Sequence, residues 1–278
     1  MTVKDPLVSI VIPVKNGMPF IKDCVESVLK STYKNFEIVV SDDGSTDGTK
    51  EYLASLDHPA VVVISPPRPL GIGAHWNFVS ERAAGDYFKL LCADDTLTVS
   101  GIQNQVRALE DNSRAVMVCS RRTFIDEKGR RLFRSRKISN QPELLRGKAA
   151  IVQSFFAGTN IFGEPSAVMF RNEAVKQALP WVDSQPYLLD FEFYSRILLE
   201  NNAYVIFSPT TDATFRVHGK SLSGKIQAKN RNSLLELAIK LEGRITFTKV
   251  EILRIRVASW YKTKMRSIVF FLASSRLK

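Results

Sequence analysis

Three short apolar runs in the first hundred residues each end in a polar cluster, and this recurrence restricts the fold more than any other feature. Val8–Val14 runs into Lys15-Asn16, Glu37–Ser41 into Asp42-Asp43-Gly44-Ser45, and Tyr87–Cys92 into Ala93-Asp94-Asp95. Ala60–Ile64 and Ala115–Cys119 are further strand-like runs. Between them Phe20, Cys24 and Val28 recur at helical spacing, and a serine/threonine start signal follows Ser45. This alternation predicts an α/β fold: right-handed βαβ units building a mainly parallel sheet flanked by helices. Ligands of such sheets gather at the carboxyl ends of the strands, so the acidic clusters lie where a site is expected.

From Arg121 the pattern changes. FIDEKGRRLF predicts a hairpin turning at Glu127–Gly129, and Ser166–Phe170 predicts a strand. A helix is expected from about Leu188 to Glu200, then strands near Tyr204–Phe207 and Ala213–Val217. Residues beyond Ser223 read as helical and end in a basic, aromatic tail. The chain thus divides into a domain of residues 1–223, with halves 1–120 and 121–223, and a helical tail of residues 224–278.

Charge is unevenly distributed. The chain carries +11, yet residues 121–148 hold ten Lys/Arg against three Asp/Glu and residues 244–278 nine against one, leaving a net acidic body. That distribution argues against a nucleic-acid-binding module and for local contacts with phosphates or an anionic membrane. Cys24, Cys92 and Cys119 lie in apolar runs without a CxxC pair, which makes them small core residues of a reducing compartment. The first apolar run is too short for a signal peptide or a membrane span, so a cytoplasmic protein is expected.

Four strings carry chemistry. In VVSDDGSTDGT (39–49), Asp42 or Asp43 suits a base N–H or a ribose hydroxyl; an acidic turn with a helix cap at Ser45 or Asp47 explains the string equally well. In LLCADD (90–95), adjacent carboxylates after an apolar strand need a cation or a retained proton, and Mg²⁺ or Mn²⁺ suits oxygen ligands; a cap from Asp95 or Thr96 accounts for only one of them. In YLLDFEFYSRIL (187–198), Asp190 is an acid among apolar residues, suited to general-base chemistry or simply to a helix N-terminus, while Glu192 and Arg196 are spaced for a surface ion pair. In TFRVHGKSLS (214–223), Arg216 suits a diphosphate and His218 a metal, although a lone His is usually an ordinary loop residue. His58 and His75 receive no role, and NIFGEPSAVMF (160–170) fits acceptor contact or plain turn chemistry.

Taken in order from Leu7 to Ser223, SIVIPVKNG, VVSDDGSTDGT, LLCADD, GEPSAVMFR, LLDFEFYSRIL and FRVHGKSLS resemble the family 2 glycosyltransferases of the GT-A fold, in the branch found in bacterial surface-polysaccharide synthesis. The resemblance implies a nucleotide-sugar-binding half (1–120), an acceptor-side half (121–223) and inverting transfer from a nucleoside-diphosphate sugar to a saccharide or lipid-linked saccharide. It implies that Pro13, Val14 and Asp43 hold the nucleoside with Asp42 supporting the turn, and that Asp95 binds Mg²⁺ or Mn²⁺ with Asp94 toward the ribose or sugar. Asp190 is then the catalytic base, while His218 and Arg216 approach the metal or diphosphate. Two departures stand out: Cys92 occupies a position where the family often has a carboxylate, and Leu189 precedes Asp190 where the family has Glu.

In the tail, Val250, Leu253, Val257, Trp260 and Tyr261 fall on one helical face, with Arg254, Arg256, Lys262, Lys264 and Arg266 largely elsewhere. Such a helix suits either peripheral contact with an anionic membrane or docking on its own domain. A nucleotidyltransferase is the main rival enzyme, but it would want a Gly-rich basic loop after the first strand, where PVKNGMPF offers one Lys and one Gly.

Overall fold

The computed structural model describes residues 5–135, 142–182, 188–200, 202–219, 233–241 and 243–275, with the side chains of 266–275 left aside. The predicted alternation is realised as β1 (Val8–Val14), α1 (Phe20–Leu29), β2 (Phe36–Asp42), α2 (Thr49–Ala54), β3 (Val61–Ile64), α3 (Ile72–Ser80), β4 (Tyr87–Leu90), β5 (Thr96–Leu97), α4 (Gly101–Glu110) and β6 (Ala115–Ile125). The second half adds β7 (Arg131–Arg134), β8 (Glu143–Arg146), α5 (Gly147–Ala157), a 3₁₀ turn (Pro165–Ala167), β9 (Val168–Arg171), α6 (Asn172–Ala178), α7 (Leu189–Leu199) and β10 (Tyr204–Arg216). Two helices end the described chain, α8 (Ser233–Lys240) and α9 (Lys249–Ser275). The expected boundary at 223/224 and the loop after Gly219 lie outside the described residues.

All ten strands join one sheet, ordered β3-β2-β1-β4-β9-β6-β10-β5, with β7 on β6 and β8 on β10. The β3, β2, β1 and β4 ladders are parallel, as is β6 with β10; β9 enters antiparallel between β4 and β6. A strand of the second half therefore sits inside the sheet of the first, and the two share a core. On one side Cys24, Val25 and Val28 of α1 pack against Ile10, Ile12 and Ile38. On the other, Phe155, Phe162, Phe191 and Tyr194 pack with Phe88 and Phe170. Lys89, fully buried in β4, is satisfied by Gln105 Oε1 at 2.9 Å and the Val168 carbonyl at 3.1 Å.

Three expectations change. The strands expected at Tyr204–Phe207 and Ala213–Val217 form one thirteen-residue strand, because a bulge between Phe207 and Ala213 absorbs the polar SPTTD run and restores pairing with β6. Thr96 pairs with Thr214 in a short strand, and α4 starts from Ser100, so neither Asp95 nor Thr96 caps that helix. Glu192 does bond Arg196, at 3.1 Å, but its side chain is buried and Lys240 lies 3.6 Å away, so this is no surface pair. The FIDEKGRRLF hairpin forms as expected, its turn held by Asp126, which accepts from the amides of Lys128 and Arg130.

The tail docks on its own domain, as one of the two expectations had it, and keeps an apolar face exposed. Ile255 of α9 is fully buried, the Ala258 backbone crowds Gly158 at the end of α5, and Phe247 packs edge-on against Phe155 and Phe156. Val250, Leu253, Val257, Trp260 and Tyr261 nevertheless remain exposed on the opposite side. No helix among the described residues is long and apolar enough to cross a membrane.

Candidate functional site

The site forms where β1, β2 and β4 end. Asn16 takes a left-handed φ of 53°, which its short polar side chain tolerates. Its backbone N–H donates to Ser45 Oγ and its side-chain oxygen accepts from the Thr46 amide, each at 2.8 Å. The amides of Gly17 and Met18 donate to Thr49 Oγ1 and Asp47 Oδ2, each at 2.9 Å. The two strand-end loops are thereby zipped together. Gly44 and Gly48, at φ 78° and 91°, supply turns that a Cβ would strain.

Inside this zip Asp42 accepts the amide and hydroxyl of Ser45 at 3.1 and 2.5 Å. Asp43 accepts the Leu70 amide at 2.6 Å and lies 3.3 Å from Lys15 Nζ. The alternative of a capping acid is met in part: α2 begins from Gly48, and Asp47 Oδ1 accepts the amide of its first residue, Thr49, at 3.1 Å. Pro13 is half-buried at the strand end, whereas the Val14 side chain is spent in the core and its carbonyl accepts the Asp43 amide. His75 does contribute structurally. It is buried with Nε2 2.8 Å from Ser41 Oγ, and burial holds its pKa below the usual imidazole value.

At the end of β4 the two adjacent acids differ sharply. Asp95 is 1% exposed and both its oxygens are engaged, Oδ2 by the Ser166 hydroxyl at 2.6 Å and Oδ1 by the Arg216 amide at 2.9 Å. Burial first, then the neighbouring Asp94 charge, pushes its pKa well above the carboxylate range. The Asp94 side chain is 32% exposed, and His218 Nε2 lies 2.9 Å from its Oδ2. Arg216 is buried. Its guanidinium donates to the carbonyls of Asp94 and Glu127 and to Asp23, and it stacks on Phe20, so each of its three nitrogens is already engaged within the protein.

Cys92, assigned to the core from sequence, packs on the edge of the core and also borders this site. Its Sγ and one carboxylate oxygen from each of Asp94 and Asp95 are within 4.8 Å of one another, a span that one divalent ion bridges. His218 Nδ1 is buried and has no partner among the described residues. A cation here would offset the cost of burying Asp95 beside a second acid, so the donors fit one.

Asp190 is half-buried in the first turn of α7. Its Oδ1 accepts the Phe191 amide at 2.7 Å and its Oδ2 an Asn160 amide hydrogen at 3.0 Å. Burial, aided by the Glu164 charge, pushes its pKa up to about 7 despite these hydrogen bonds. At that value a carboxylate can accept a proton near neutral pH.

One segment serves both acidic centres. Asn160 holds Asp190, Ser166 holds Asp95 and accepts the Cys92 amide at 3.2 Å, and Glu164 forms an ion pair with Arg122 between them. Its carboxyl end is fixed from beneath, where Gln105 and Ser120 donate to the Ala167 carbonyl at 2.9 and 3.1 Å. The string NIFGEPS signalled turn chemistry in the sequence, but not that the turn braces two acids distant from each other along the chain.

The glycosyl transferase family 2 model matches residues 9–179, which spans β1 through α6. An uncharacterized glycosyltransferase of Rickettsia typhi is 34% identical over 130 residues, 46% of this chain; that stretch is only 40% of the Rickettsia protein. The Escherichia coli UDP-Glc:alpha-D-GlcNAc-diphosphoundecaprenol beta-1,3-glucosyltransferase WfaP is 26% identical over 242 residues, 86% of this chain and 90% of that protein. Among solved structures, the mannosyltransferase PcManGT of Pyrobaculum calidifontis, in complex with GDP-Man and Mn²⁺, superposes with a TM-score of 0.66 at 17% identity, over 99% of this chain and 75% of its own. That likeness reports the shared fold. The match from the first strand through the acidic turn and the bracing segment is what assigns the chain, which belongs to glycosyl transferase family 2 and has its GT-A fold.

Proposed function

We propose that the protein transfers a sugar from a nucleoside-diphosphate donor to an acceptor hydroxyl with inversion, in the assembly of a bacterial cell-surface polysaccharide. The observation that carries this reading is the pairing of two unlike acidic centres on one segment: the half-buried Asp190 carboxyl held by Asn160, and an ion-suited cluster at Asp94 and Asp95, with His218 on Asp94, held by Ser166.

In this reading Asp43, with Pro13 and the Val14 backbone, holds the nucleoside, and Asp42 shapes the turn. Asp94 and His218 face a divalent ion, Mg²⁺ or Mn²⁺. Asp95 joins them from the buried side, each of its oxygens keeping a lone pair beside the bond it accepts from Ser166 or the Arg216 amide. When bound, the ion supplies charge neutralisation for the departing diphosphate. Arg216 fixes Asp94 and the His218 strand rather than offering a free guanidinium. Asp190 removes the acceptor proton as the hydroxyl attacks the face opposite the leaving group, and a single displacement inverts the anomeric centre.

Support for the polysaccharide context comes from WfaP, whose name describes glucosyl transfer to a diphosphoundecaprenol-linked sugar. A lipid-linked acceptor places the enzyme at the cytoplasmic face of a membrane. The exposed Val257, Trp260 and Tyr261, with Arg254, Arg256, Lys262 and Lys264 around them, suit peripheral contact with anionic lipid there. A thermal-shift screen of UDP- and GDP-sugars with and without Mn²⁺, followed by NMR of the product's anomeric configuration, tests the reading. Stabilisation by one nucleotide sugar and an inverted product are expected; no stabilisation by any, or a retained configuration, overturns it.

A further inference from the structure

Cys92 Sγ shares a 4.8 Å cluster with oxygens of Asp94 and Asp95 at the open end of β4, and Asp94 is also contacted by His218 Nε2 at 2.9 Å. The other two cysteines are placed differently. Cys119 is buried on the core-facing side of β6, and Cys24 lies in α1 with its thiol spent on the Cys92 carbonyl. Cys92 is therefore the one cysteine in such a cluster among the described residues, and the cluster combines sulfur with carboxylate oxygen, His218 adjoining it through Asp94. Such a mixed set is a poor match for Mg²⁺, which demands oxygen ligands and near-ideal octahedral geometry. Thiolate and imidazole favour borderline first-row ions instead, with affinity rising from Mn²⁺ through Co²⁺.

We infer that Cys92 is an ion-selecting ligand, which turns the carboxylate site of this enzyme into a mixed sulfur and oxygen site preferring Mn²⁺, Co²⁺ or Zn²⁺ to Mg²⁺. On binding, the sulfur gives up its proton to solvent and takes the ion in its place. The backbone already supports this arrangement: the Cys92 amide is bonded to Ser166 Oγ and its carbonyl accepts the Asp95 amide at 3.0 Å, so the thiol and the two acids are fixed on one tight turn. The inference rests on the reading of Asp94 and His218 as ion ligands, and the experiment separates the two.

Co²⁺ is titrated into the reduced full chain, alone and with UDP or GDP, while the near-ultraviolet thiolate-to-cobalt charge-transfer band is recorded and calorimetry measures binding. The wild type should show the band, Cys119→Ala should keep it, and Cys92→Ser should lose it. Mn²⁺ affinity should fall at least about tenfold in Cys92→Ser, and the preference for Mn²⁺ over Mg²⁺ should narrow in Cys92→Asp, which restores an all-oxygen set around Asp94. Stoichiometric Co²⁺ binding without the band would overturn the role of Cys92 while leaving the Asp94 and His218 site intact. Binding of neither Co²⁺ nor Mn²⁺ under any of these conditions would overturn both. Circular dichroism of each variant confirms that a lost band is not a lost fold.

Discussion

Asn160 donates an amide hydrogen to Asp190 across 3.0 Å, and the direction of that bond is fixed from the other end of the same amide. The Asn160 side-chain oxygen accepts the Phe162 amide at 3.0 Å, which turns the NH₂ group toward Asp190 and the Gly163 carbonyl. The hydrogen bond favours the ionised carboxylate, whereas burial and Glu164 oppose it. The balance leaves Asp190 near 7, between an ordinary surface acid and one that never ionises.

That balance sets the pH dependence of transfer. The base must be ionised, so kcat/KM should rise through an acidic limb centred near about 7 and level off above it. A limb near 4 would mean that Asp190 titrates as an ordinary carboxyl. Asp190→Asn should lose roughly 10²–10⁴ in rate while still binding the donor. Near-normal transfer by the folded variant would remove Asp190 from the mechanism.

The same shift governs stability with the opposite consequence. A carboxyl whose pKa is raised on folding binds more protons in the native state. Stability is therefore lost as pH climbs from the unfolded value near 4 to the folded value of about 7. Asp190→Asn removes the ionisation but turns an NH₂ group toward Asn160 or the Phe191 amide, so its Tm should lie below the wild type at pH 4 and the gap should narrow or reverse by pH 8. A gap that stays constant between pH 4 and pH 8 would show that the charge is better accommodated than its burial implies.

Asn160→Ala deletes a donor to the charged form. The acidic limb should move above about 7 and kcat at pH 7 should fall, with donor affinity unchanged. A purely structural Asn160 would lower Tm without moving the limb. The pH profile therefore discriminates where activity alone does not.

Asp94 and Asp95 should separate under the same substitution. Asp94→Asn removes an accessible charge whose loss leaves packing intact, so Mn²⁺-dependent nucleotide binding should vanish with Tm nearly unchanged. Asp95→Asn turns an NH₂ group toward either Ser166 or the Arg216 amide, leaving a buried donor unmatched at a cost of about 1–3 kcal/mol. Its Tm should drop several degrees before any ligand is added. Equal Tm values for the two variants would contradict the division of labour between these acids.

The first half of the fold was legible because its signal is local. Val8–Val14 and the runs ending at Ser41 and Leu90 alternate with amphipathic helices, and each acidic cluster follows its strand directly. The second half was harder to read because its determinants are distant in sequence. Nothing near Val168–Arg171 says that it enters antiparallel between β4 and β6, and SPTTD looks like a strand break until the β6 ladder is seen to bridge it. The site divides in the same way. Asp94, Asp95, Asp190 and His218 could be named from their neighbours in the chain. The placement of Cys92 beside two acids, and the bracing of both centres by Asn160 and Ser166, depend on contacts spanning tens of residues.

The tail offers a test in which fold and surface can be separated. Ile255 and Phe247 dock α9 and the segment before it on the core at α5, so deleting residues 250–278 would expose core and confound any binding result. The opposite side can be altered alone. Trp260 and Val257 are both 59% exposed, and with Leu235 and Leu253 they line a groove of about 530 Å³ edged by Arg256 and Lys264. An anionic membrane would cover the apolar side chains and draw on the flanking charges, each basic residue near the surface contributing about 1 kcal/mol. Arg256→Gln with Lys264→Gln should therefore weaken binding to phosphatidylglycerol vesicles by roughly thirtyfold, and Trp260→Ser should weaken it further, with Tm held within a few degrees. Neutral phosphatidylcholine vesicles should bind neither protein strongly, and added salt should reproduce the effect of the charge substitutions. Equal flotation of wild type and triple variant on anionic vesicles would show that the exposed face of α9 does not meet the bilayer.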